Sequence, residues 1–96
     1  MVKTEAFDAA RYLGSAEAQG ELLNDALESG SAAYVAAALG VIARARGMGE
    51  VARAAGVTRE ALYRSLSEAG DPRLSTLLGV MRALGVRLVA EVSPAA

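Results

Sequence analysis

Apolar positions along most of this chain recur at helical spacing, and the polar residues and glycines between them mark where each helix starts and stops. Ser15 precedes a run in which Leu22, Leu23, Ala26 and Leu27 share one face, and Gly30 follows it, so a helix is predicted from Ser15 to about Glu28. A short helical turn over Ala9–Leu13, capped by Asp8, is expected before it. Ser31 is a second cap. After it Tyr34, Val35, Ala38, Leu39, Ile42 and Ala45 recur at i, i+1, i+4, i+5, i+8 and i+11, which predicts a long helix ending before Gly47. Arg44 and Arg46 sit at the negative end of its dipole. Two short helices are predicted next, Gly49–Ala55 and Arg59–Ser67, separated by Gly56-Val57-Thr58. Beyond the turn Gly70-Asp71-Pro72, Leu77, Leu78, Met81 and Leu84 define the inward face of a helix over Ser75–Leu84, which Gly85 stops. The period then changes to two: Val86, Leu88, Ala90 and Val92 alternate with Arg87, Val89 and Glu91, the pattern of a strand over 86–92.

Composition narrows the picture. Ninety-six residues fit one domain, residues 1–96. Hydrophobic residues make up 53% but aromatics only 4%, so the core is expected to be helical and built from Ala, Leu and Val, with Phe7 and Tyr34 inside it. Cysteine and histidine are both absent, which removes disulfides, thiolate or imidazole metal sites, histidine proton shuttles and Cys or Ser–His nucleophiles. Glu60 and Glu68 fall two helical turns apart and make no acid/base pair, and no glycine loop cradles a phosphate. The expectation is a protein without catalytic residues, metal or cofactor. The first residues carry no apolar signal segment, and the longest uncharged stretch, Ser29 to Ala43, is too short to span a bilayer. A cytoplasmic protein with no membrane partner is expected.

The net charge of −1 hides a division. Residues 1–40 sum to −4, whereas residues 41–96 sum to +3 with every cation an arginine. Guanidinium offers a planar fork of donors suited to phosphate. In the acidic half, Glu17, Glu21, Asp25 and Glu28 line up at i, i+4, i+8 and i+11. Like charges at this spacing destabilise a helix by roughly 0.2–0.5 kcal/mol a pair. The stripe is either a solvated face or a surface complementary to a basic partner.

Within the basic half, the stretch 48–67 has its small residues where two crossing helices need them. Ala52 suits the crossing, Gly56 a helix end with positive φ, Val57 and Leu62 the space between the helices, and Thr58 the cap of the second. This is the spacing of a helix-turn-helix, whose second helix enters the major groove of DNA. Thr58, Arg59, Glu60, Tyr63 and Arg64 place hydroxyl, guanidinium and phenol groups on one side of that helix, groups that read bases and hold phosphates.

The run Gly56-Val57-Thr58-Arg59-Glu60-Ala61-Leu62-Tyr63-Arg64-Ser65-Leu66-Ser67-Glu68-Ala69-Gly70-Asp71-Pro72, followed by Ser75-Thr76-Leu77-Leu78 and Arg82-Ala83-Leu84-Gly85-Val86, resembles addiction-module antidote proteins of the HigA type. Leu13-Gly14-Ser15 and the segment Ser31 to Gly40 fit the same spacing, so the resemblance covers roughly residues 5–90. It implies an all-α, five-helix, lambda-repressor-like helix-turn-helix domain of the XRE/Cro kind. It also implies a homodimer on double-stranded operator DNA and a cognate RelE/ParE-superfamily toxin encoded alongside. Carried over by position, Thr58, Arg59, Glu60, Tyr63, Arg64 and Ser67 face the groove, and Arg53 and Arg73 meet flanking phosphates. Members of that family often carry Asn where this chain has Asp71, an acid expected here to cap the next helix.

A lone strand at 86–92 leaves its backbone groups unpaired, so it calls for a second chain. A homodimer could pair it across a two-fold axis, the favoured reading, or a toxin could accept it at a sheet edge. The function expected is a DNA-binding antitoxin that autorepresses its operon. The alternatives are a stand-alone helix-turn-helix regulator and a helical interaction protein that does not bind DNA.

Overall fold

A computed structural model describes residues 14–94; the turn expected at Ala9–Leu13 and the core position expected for Phe7 lie outside the described residues. Among the described residues the chain forms helices α1 (Ala16–Ser29), α2 (Ala32–Arg46), α3 (Met48–Ala55), α4 (Arg59–Ser65) and α5 (Leu74–Leu84). Three of these begin at a hydroxyl. Ser15, Ser31 and Thr58 accept hydrogen bonds from the N–H groups of Ala18, Tyr34 and Ala61 at 3.1, 3.1 and 3.0 Å, each satisfying a donor that the helix cannot pair itself.

The core lies between α2, α3, α4 and α5, with α1 packed on α2 and contributing Leu23. Leu39, Ile42, Leu62, Leu66 and Val80 are the largest side chains that lose all or nearly all contact with water. Each such burial favours folding by about 1.5–3 kcal/mol. Gly40 lets α2 approach the chain that leaves α4, because a Cβ there would run into the Leu66 carbonyl. Ala52 is buried in the same cluster, where Met48 and Met81 fill the gaps an aromatic-poor core leaves.

Several side chains depart from the expected pattern. Leu27 and Leu78 are exposed rather than inward. For α1 the main packing among the described residues is against α2, and the buried row is Ala18, Gln19, Leu23 and Ala26, which leaves Leu27 outside it. For α5 the inward row is Gly79, Val80, Met81 and Leu84, which follows from close packing of Gly79 against Ala55 of α3 and turns Leu78 outward. Tyr34 is half-buried, its hydroxyl bonded to Asp25 instead of lying in the core. Helix α4 stops at Ser65, two residues early, because Leu66 leaves helical geometry (φ −103°, ψ 41°) as its side chain enters the core. Asp71 does not cap α5, whose cap position is Arg73 with no side-chain hydrogen bond.

No strand occurs among the described residues. After the Val86 N–H closes α5 on the Met81 carbonyl at 2.8 Å, residues 87–93 are exposed and belong to no helix or ladder. The alternation of 86–92 is a pattern without a pairing partner among the described residues, and a ladder needs one.

Candidate nucleic-acid interface

The α3–α4 pair is held by its backbone turn. Gly56 adopts φ 77°, ψ 27°, and its N–H donates to the Arg53 carbonyl at 3.2 Å while that of Val57 donates to Ala52 at 3.0 Å. A left-handed residue reverses the chain, and glycine adopts it without steric penalty. Val57 then packs half-buried against the core, Thr58 caps α4, and Leu62 pins α4 to the interior with no exposed surface. Ala52 and Leu62 are thus buried, Gly56 has positive φ, and Val57 is half-buried.

With Leu62 inward, Thr58, Arg59, Glu60, Tyr63 and Arg64 are all exposed on α4 and its cap. Arg53 is exposed on α3, and Arg73 is exposed at the start of α5. Ser67 differs. It is half-buried beyond the end of α4, and its hydroxyl donates to the Arg64 carbonyl at 3.0 Å, so it finishes the helix and is drawn back from the surface.

One residue was not legible as part of this surface. Arg44, exposed near the end of α2, places its guanidinium carbon 5.9 Å from the Tyr63 ring centroid, and Arg59 places its own 5.4 Å away. The sequence marks it only as a cation at the C-terminal end of the α2 dipole, and nothing local joins it to a tyrosine nineteen positions later. Its companion Arg46 turns elsewhere, donating to the Leu84 carbonyl at 2.8 Å and so closing the C-terminal end of α5.

On the opposite half of the charge division, Glu17, Glu21, Asp25 and Glu28 are all exposed along α1. They are not equivalent. An Asp25 carboxylate oxygen accepts the Tyr34 hydroxyl at 2.5 Å, so this acid has a partner inside the fold. That bond, with some desolvation and the nearby negative charge, pushes the Tyr34 hydroxyl above its usual pKa. Among the described residues no group of three or more acidic side chains is placed to hold a metal, and no helix is long and apolar enough to cross a membrane.

A family model described as a probable addiction module antidote protein matches residues 3–92. A protein of Haemophilus influenzae (strain ATCC 51907 / DSM 11121 / KW20 / Rd), described as uncharacterized, is 41% identical over 87 residues, which cover 91% of this chain and 90% of that protein. No solved structure matches. The family match spans every helix described above, the α3–α4 pair and its arginines included. This chain belongs to the family of probable addiction module antidote proteins.

Proposed function

We propose that α3–α4 is a helix-turn-helix of the lambda-repressor type and that the protein is a DNA-binding antitoxin. It acts as a homodimer in the cytoplasm, represses its own operon, and neutralises a RelE/ParE-superfamily toxin. Membership of an antidote family supports the toxin partner. The observation that carries the DNA reading is the exposed side of α4, where Arg59, Tyr63 and Arg64 stand free of the core while Leu62 anchors the opposite side.

The physical scheme follows from those positions. With α4 in the major groove, Arg64 can offer two parallel donors to a guanine edge, and Thr58 or Glu60 can meet neighbouring bases. Arg53 and Arg73 flank α4 and suit phosphates, which fix register without reading sequence. A two-fold dimer would present two such helices to half-sites about 34–36 Å apart, one turn of the duplex. The dimer reading is supported by apolar groups left in water at the C-terminal end: Leu74, Leu78, Leu88, Val89 and Val92 are all exposed, and a groove between Leu78, Val86 and Leu88 continues from α5 into the tail.

Fluorescence anisotropy with a duplex from upstream of the protein's own coding region, beside a mixed-sequence duplex, tests the DNA reading. Arg64→Ala is expected to weaken binding to the upstream duplex by about 1–3 kcal/mol and to narrow its advantage over mixed sequence. If Arg59→Ala and Arg64→Ala both leave affinity for every duplex unchanged, α4 is not a recognition helix.

A further inference from the structure

The Tyr63 ring gathers cations from two separate helices. Arg59 comes from α4 itself and Arg44 from α2, and both guanidiniums lie within cation–π range of the same ring, at 5.4 and 5.9 Å. Among the described residues neither guanidinium is paired with a carboxylate. Two like charges are thus held beside one half-exposed ring with no neutralising acid, an arrangement that the aromatic face tolerates and that an anion would relieve. Contact with the ring also restricts two long side chains before any ligand arrives, and a guanidinium held near a ring can still direct its N–H donors outward.

We infer that Arg44, Tyr63 and Arg59 form a phosphate clamp for the DNA backbone, in which Arg44 is a phosphate contact outside the α3–α4 unit and Tyr63 is a positioning residue that reads no base. This rests on the nucleic-acid reading above and extends it. The clamp joins α2 to α4 across the fold, so a phosphate bound there fixes how α4 sits relative to the backbone. Register is set by such contacts and sequence is read elsewhere, at Arg64. The tyrosine contributes its face and not its hydroxyl, which has no hydrogen-bond partner among the described residues.

The test compares salt dependence for the full-length chain and the variants R44Q, Y63F, Y63L and R64A on the upstream duplex and on the mixed-sequence duplex. R44Q is expected to weaken both duplexes by the same factor and to lower the slope of log K against log salt by about 0.9, the loss of one phosphate contact. Y63F should match wild type, whereas Y63L should lower affinity for both duplexes and make R44Q nearly silent when the two are combined. Thermal melts check that each variant folds, which Arg44 and Tyr63 permit because both are exposed. An R44Q slope equal to that of wild type, or a Y63F loss as large as that of Y63L, overturns the clamp while the DNA reading stands on R64A. Failure of the wild-type chain to bind any duplex overturns both.

Discussion

The Tyr34 hydroxyl donates to an Asp25 carboxylate oxygen across 2.5 Å, fastening α1 to α2 near their shared turn. The hydrogen bond favours the protonated phenol and raises its pKa above the usual value near 10. A raised folded value means that the bond's contribution is fully present below the unfolded pKa and is lost as pH climbs through the folded one. Tyr34→Phe should therefore lower thermal stability by an amount that is flat from about pH 6 to 9 and shrinks only above about pH 10. Asp25→Asn should return the ultraviolet titration of Tyr34 toward that of an ordinary tyrosine. A Tyr34→Phe difference that changes sharply across neutral pH would count against this assignment.

Two glycines are expected to resist substitution for different reasons. At Gly40 the obstacle is the Leu66 backbone carbonyl, so even Ala must separate α2 from the chain after α4; overpacking of this kind destabilises by about 1–3 kcal/mol. At Gly56 there is open space around a built Cβ, and the obstacle is φ 77°. Gly56→Val should destabilise by roughly 1–2 kcal/mol or more, whereas Gly56→Asn, a residue that visits this region, should lose less. Gly40→Asn has no such relief. Denaturant melts of the four variants separate the two mechanisms, and equal losses for Val and Asn at position 56 would contradict the backbone explanation.

What the sequence made legible follows from how local each signal is. Ser15, Ser31 and Thr58 cap helices because a hydroxyl and an N–H three residues on are enough, and the Gly56 turn is equally local. Leu27 and Leu78 were misplaced because a stripe read on one helix does not say how many neighbours cover it. Arg44 was invisible as part of a site because its partner Tyr63 is brought to it only by tertiary packing. The strand at 86–92 is not formed among the described residues for a complementary reason. Its pattern describes half of a pair, and the described residues hold no second half.

The α1 stripe yields a test of toxin docking that spares the fold. Glu17, Glu21 and Glu28 are exposed, and only Asp25 is engaged internally. Reversing Glu17 and Glu21 to Lys should slow association with a basic toxin and weaken its salt dependence, while DNA affinity should change little because the arginines proposed to meet DNA lie on α2, α3, α4 and at the start of α5, none of them on α1. Stopped-flow association across a salt series is the measurement. Wild-type kinetics in the doubly reversed chain would move the toxin site off α1.

The tail carries the sharpest prediction about assembly, because its sequence is self-complementary in one antiparallel register. If two copies of 86–92 pair about a two-fold axis at Val89, Val86 of each faces Val92 of the other, and Leu88 faces Ala90. On the other side of the ribbon Arg87 faces Glu91, twice by symmetry. Cross-strand pairs of opposite charge contribute about 0.2–1 kcal/mol each, and like charges in the same place are destabilising. Truncation after Gly85 should shift the protein toward monomer in sedimentation equilibrium. Arg87→Glu alone sets Glu against Glu at both pairs, and Glu91→Arg alone sets Arg against Arg, so each single variant should dimerise more weakly. The double exchange restores both pairs with reversed polarity and should recover the wild-type dimer, a non-additivity that a merely exposed tail cannot produce. A double variant as weak as the sum of its singles would rule out this register. A truncated chain that still dimerises as well as wild type would shift the interface to Leu74 and Leu78 on α5, which are exposed without the tail's help.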